Sequence, residues 1–95
     1  MKKEITRTKT IHSVEYARFL DLLRQVRERQ GLTQEQLAEK LGATQSFISK
    51  CERGARRIDA LELRTFCIAM GITLAEFAVE LEQYLPAGTW LTRAK

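Results

Sequence analysis

A chain of 95 residues has room for one domain with one modest core. Its 44% hydrophobic share and single proline argue against a disordered tail, and no run of about 18 apolar residues predicts a membrane span. The net charge of +4 is segregated, which fits a polyanion held against one face.

The start, "MKKEITRTKTIHS", is basic, with no apolar stretch behind it. It is not read as a secretory signal, and a cytoplasmic location is expected. Residues 1–12 form a basic arm carrying Lys2, Lys3, Arg7 and Lys9 against Glu4. Its core, "EITRTKTI", is rich in β-branched residues and reads as an extended arm or short strand. It has two uses open to it: pairing with the strand-like "GTWLT" of the tail, or wrapping that polyanion, a nucleic acid for instance, as a free arm that orders on binding.

Helix 1 is predicted from about Val14 to Gln30, capped by Ser13, with Phe19, Leu20, Leu23 and Val26 on one face and Gly31 as its stop. Thr33 and Gln36 form a capping box at the start of helix 2. Leu37, Ala38 and Leu41 make its apolar face, and Gly42 ends it. Thr44 caps helix 3, which spans roughly Gln45 to Arg53 with Ile48 and Cys51 inward and Gly54 beyond. Asp59 caps helix 4, whose inward residues are Leu63, Phe66, Cys67 and Met70. Thr73 and Glu76 box the start of helix 5, which carries Leu74, Phe77, Ala78, Leu81 and Leu85 and stops at Pro86. The prediction is an all-α, five-helix bundle over residues 13–85, with a strand-like N-terminal arm and a C-terminal tail at 86–95.

Helices 2 and 3 are joined by Gly42-Ala43-Thr44 alone. So tight a joint forces a steep crossing, and the small residues are expected to let the backbones approach. Gln45, Ser46, Ser49 and Lys50 then face outward on a helix that fits a major groove about 12 Å wide. Gln can bond adenine N6 and N7, Lys can reach guanine O6 and N7, and Ser can pair with several bases. The basic residues Lys50, Arg53, Arg56 and Arg57 crowd this segment. Residues 58–85 are acidic instead, with Asp59, Glu62, Glu76, Glu80 and Glu82 against Arg64.

The stretches "GLTQEQLAEKLG" and "TQSFISKCERG" and the glycine of "AMGIT" resemble the helix-turn-helix domain of the Cro and phage-repressor, or XRE-type, transcription regulators. The spacing of Gln34, Ala38, Gly42, Ile48 and Glu52 makes the likeness specific. The resemblance implies base readout by Thr44, Gln45, Ser46, Ser49 and Lys50, and phosphate contact by Gln34, Arg53, Arg56 and Arg57. It puts Phe47 near the sugar-phosphate backbone, where members often carry a polar side chain or tyrosine. Phe cannot hydrogen-bond a phosphate, and the choice between a thymine methyl and packing on helix 2 stays open. Arg27 and Glu52 match a charged pair tying helix 1 to helix 3. Cys51 stands where a larger aliphatic residue is usual, which implies core packing in a looser site or a redox handle.

Double-stranded DNA is therefore the expected partner, bound by a homodimer at a palindromic operator for repression or autoregulation. Leu61, Ile68, Leu85, Trp90 and Leu91 lie outside the core pattern and are the candidate dimer residues. The alternative is an antitoxin or adaptor whose main role is holding a protein such as a toxin. No Ser/His/Asp set, paired-carboxylate motif or glycine-rich phosphate loop is present, so no enzyme and no cofactor are expected. Two cysteines and one histidine, His12, cannot furnish a four-ligand zinc site, so no metal is expected either, and both thiols read as reduced core residues.

Overall fold

The computed structural model describes residues 2–85, with side chains from residue 14 onward. Five helices follow one another: α1 Lys2–Arg29, α2 Gln34–Leu41, α3 Gln45–Glu52, α4 Ala60–Ala69 and α5 Leu74–Tyr84. The all-α, repressor-like prediction is met, and there is no strand among the described residues. No described helix is long and apolar enough to cross a membrane.

The N-terminal prediction needs correction. Residues 2–13 are helical, not extended, and α1 runs through residue 13 without a break, so Ser13 is an interior residue and no cap. The physical reason is cooperativity. Residues 14–29 are anchored by the core and supply the nucleus, after which each added residue gains a hydrogen bond. The β-branched penalty is a few tenths of a kcal/mol per residue, and no Gly or Pro interrupts the segment. The tail, "GTWLT" included, lies outside the described residues.

Local signals set the other helix starts. The side chains of Thr33, Thr44, Asp59 and Thr73 accept from the backbone N–H three residues on, at Gln36, Phe47, Glu62 and Glu76. At Thr33, Asp59 and Thr73 the third residue reaches back to the cap N–H, completing a capping box. Between α2 and α3, Gly42 takes a left-handed conformation with φ 67°, and the Ala43 N–H donates to the Ala38 carbonyl at 2.9 Å. This is a Schellman closure, which L side chains disfavour. A Cβ built on Gly42 would meet nothing within 4 Å. The glycine serves the turn by its dihedral and not, as expected, by letting two backbones approach.

The core is drawn from all five helices. Leu22, Leu23 and Val26 of α1 meet Leu37 and Ala38, Ile48 and Cys51, Phe66, Cys67 and Met70, and Phe77. Leu22, off the predicted stripe, is buried, whereas Ala78 is exposed and Leu63, Leu74 and Leu81 are only half-buried. Helix α1 packs on α3 and α5, α2 on α3 and α4, and α4 on α5. So α3 has one face on the core and the opposite one in solvent.

Candidate nucleic-acid interface

Arg27 begins the site from inside. It is buried at 7% exposure and makes a bidentate pair with Glu52, Nε to Oε2 at 2.6 Å and Nη2 to Oε1 at 3.0 Å. Its Nη1 donates to the Leu32 carbonyl at 2.7 Å, so all three guanidinium nitrogens are engaged. The predicted tie between helix 1 and helix 3 is present, and it also fixes the chain before α2. Geometry of this kind is what lets a buried pair repay its desolvation.

From Glu52 the bonding continues outward. Gln34 Nε2 donates to Glu52 Oε1 at 2.9 Å, and Gln45 Nε2 donates to Gln34 Oε1 at 2.6 Å. Chemistry orients every link. Arg27 can only donate and the Glu52 carboxylate can only accept, so Gln34 must turn its NH2 inward and its oxygen outward. Gln45 must then present its NH2 to Gln34. One remaining N–H and Oε1 of Gln45 are left for solvent, at the first position of α3.

Around Gln45 the exposed residues are Thr44, Ser46 and Lys50, while Ser49 is half-buried. The first turns of α2, α4 and α5 carry Glu35, Glu62 and Glu76; α3 carries no acidic residue there. The positive pole of α3 is thus left open to an anion. Lys50 and Arg53 have no ion-pair partner among the described residues, and Arg53 Nε makes only a long 3.5 Å contact with Ser49 Oγ.

Arg56 and Arg57 are held differently. Arg56 grips Glu62 in a bidentate pair at 3.1 and 2.8 Å, donates to the Arg57 carbonyl at 2.9 Å and lies 5.0 Å from the Phe47 ring centre. The guanidinium beside Glu62, helped by the Asp59 N–H at 3.0 Å, holds that carboxyl down at about 2. Phe47 packs on Phe66 of α4, centroids 6.3 Å apart, beneath Arg56. The ring packs at least on α4, and it borders the same cleft as Leu41 of α2. Arg57 lies 4.3 Å over the Tyr16 ring, and the Tyr16 hydroxyl accepts from the Ile58 N–H at 3.0 Å. The loop after α3 is therefore held at Arg56, Arg57 and Ile58 by α4 on one side and α1 on the other.

Tyr16 and Glu62 went unremarked as site residues in the sequence. Glu62 was legible three positions after Asp59, as half of a capping box. Tyr16 carried no signal, since its partners lie 41 and 42 positions away. Cys51 is fully buried, and burial raises its thiol, so it stays protonated and packs. Burial drives Cys67 up to about 11 in the same way.

The dimer candidates separate. Leu61 and Ile68, two turns apart on α4, are 77% and 58% exposed. Leu85 is half-buried at the end of α5 and borders a different surface. Trp90 and Leu91 lie outside the described residues.

A family model described as "Helix-turn-helix" matches residues 23–77. Among solved structures, an XRE-family like protein from Pseudomonas syringae pv. tomato str. DC3000 is 42% identical, with a TM-score of 0.76 over 84% of this chain and 98% of that one. A structure of the clp gene regulator ClgR from Corynebacterium glutamicum is 26% identical, with a TM-score of 0.63 over 84% and 80%. A second ClgR structure, 24% identical with a TM-score of 0.67 over 78% and 96%, shares the fold. No curated protein matches the chain.

Proposed function

The chain belongs to the XRE/Cro-type helix-turn-helix family of transcriptional regulators, and on that premise we propose that it binds a palindromic operator as a homodimer, as a repressor or autoregulator. Helix α3 enters the major groove. Gln45 reads adenine, with Oε1 accepting from N6 and its second N–H donating to N7. Thr44, Ser46, Ser49 and Lys50 contact neighbouring base edges. Arg53 and Arg57 meet phosphates, as does Gln34 through the one amide N–H that Glu52 leaves free, with Arg56 and Phe47 setting the loop that carries Arg57.

The observation that carries this reading is the directed chain Arg27–Glu52–Gln34–Gln45. A glutamine free to flip presents donor and acceptor interchangeably. One whose amide is set from a buried ion pair presents a single pattern, which specific recognition requires.

One α3 spans only a few base pairs, so a second copy is needed for a longer site. Leu61 and Ile68, both exposed on α4, are the apolar pair proposed to bring it, with half-sites about 34–36 Å apart. An antitoxin or adaptor would draw on the acidic α4–α5 half instead. There Leu61 and Ile68 of α4, already assigned to the dimer, leave Val79 as the large exposed apolar residue of α5, against the roughly 800 Å² per partner of a stable interface.

Selection of bound sites from random duplexes tests the reading. Wild type should recover two inverted half-sites one helical turn apart, each with a preferred adenine. Gln45→Ala should lose that adenine alone. A motif unchanged by Gln45→Ala, or a single unrepeated site, would contradict the assignment.

A further inference from the structure

We propose that residues 86–95 fold back on their own chain and seat Trp90 in an apolar groove formed by α1, the loop after α3, the start of α4, and α5. The groove is open to solvent and has a volume of about 380 Å³, room for an indole ring laid along it. Its walls are Tyr16 and Phe19 of α1, Ile58 of the loop, Leu63 of α4, and Leu81 and Leu85 of α5. These walls leave apolar surface facing water beside an otherwise closed core.

The chain's own end names the occupant. Leu85 is itself a wall, and its backbone is already extended at φ −87°, ψ 154°, so the tail departs from inside the groove. Pro86 follows and forbids another helical turn. Trp90 lies five residues beyond Leu85, a reach of at most about 18 Å, enough to turn back along the cleft. A tether this short keeps the indole at an effective concentration in the millimolar range, which a free partner rarely matches. Trp suits the site because its apolar ring can be buried while its N–H finds a partner at the rim.

Charge agrees. Glu15 and Asp59 border the groove against Arg57, while the tail "PAGTWLTRAK" carries Arg93 and Lys95 and no carboxylate side chain. The seated tail covers the inner side of the segment that Tyr16 pins through Ile58 and Arg57. The proposal does not depend on the DNA reading.

Trp90 is the only tryptophan, so its fluorescence reports on the tail alone. The full chain should emit to the blue of free indole, resist iodide quenching, and keep both properties on dilution. Leu85→Glu should shift emission to that of indole in water and raise the quenching constant several-fold, with far-UV helicity unchanged. Cross-peaks between the Trp90 ring and Tyr16 or Leu81 in the unaltered chain provide a second readout should that variant fold poorly. Water-like, fully quenched emission in the full chain would overturn the proposal. So would a blue shift that disappears on dilution, which would give the groove to the tail of a second copy.

Discussion

Two arginine–carboxylate pairs in this molecule are both bidentate and have opposite surroundings. Arg27–Glu52 is buried, its side chains 8% and 5% exposed; Arg56–Glu62 stands in solvent, at 44% and 32%. Burial makes the first indispensable once formed, because removing either partner strands the other in a medium of low dielectric. Exposure makes the second adjustable, since water and salt can replace either partner. Gln34 and Gln45 hang from the first pair, and the basic loop after α3 is set by the second. The molecule thus roots Gln45 in a buried pair and the loop of Arg56 and Arg57 in an exposed one.

The sharpest break in that comparison is Glu52→Ala. It should destabilise the fold by about 3–5 kcal/mol, read as a shift in denaturant midpoint, because Arg27 stays buried without its carboxylate. Replacing both, as Arg27→Met with Glu52→Leu, should recover most of the loss. A cost under about 1 kcal/mol for Glu52→Ala would show that water reaches the pair and that the contrast is false.

Next in size is Gln34→Ala. Here the fold should hold while the amide of Gln45 is set free. Discrimination at the Gln45 base pair should fall by up to about 1–3 kcal/mol, measured as the ratio of affinities for cognate and substituted duplexes. Equal losses on both duplexes would make Gln34 a phosphate contact and nothing more.

Arg57→Ala addresses the exposed side. Affinity should drop for all duplexes alike, and the slope of log K against log salt should shrink by about 0.9, one phosphate's worth. An unchanged slope would mean that Arg57 serves Tyr16 alone.

The smallest effect belongs to Glu62→Gln. Arg56 lowers the Glu62 carboxyl from its ordinary 4.5 to about 2. A depressed acid stabilises the fold fully above its unfolded value, and that stabilisation is lost as pH falls through the folded one. The melting temperatures of wild type and Glu62→Gln should therefore differ above about pH 4.5 and converge toward pH 2. Parallel curves over that window would exclude the pair as the cause. High salt should narrow the gap at neutral pH and leave the Glu52→Ala deficit nearly intact.

What this sequence determined by itself is what can be decided within a few residues. Thr33 with Gln36, Thr44, Asp59 and Thr73 with Glu76 set four helix starts, because a cap bonds a backbone N–H only three positions away. The glycine after α2 set its end by the dihedral it alone adopts cheaply. The family likeness rested on the same local spacings, and so did the placing of Gln45 on an exposed helix. Tertiary structure decided whatever depended on distant partners. It carried α1 back through residues 2–13, where local propensity favoured a strand, because a helix anchored elsewhere extends at low cost. It oriented Gln34 and Gln45 from the Arg27–Glu52 pair, which only the family resemblance had named across 25 positions. It placed Phe47 beneath Arg56 and against Phe66, and brought Tyr16 under Arg57. A side chain's hydrogen-bonding direction and burial are set by whichever groups the folded chain brings beside it, and no local pattern encodes which those are.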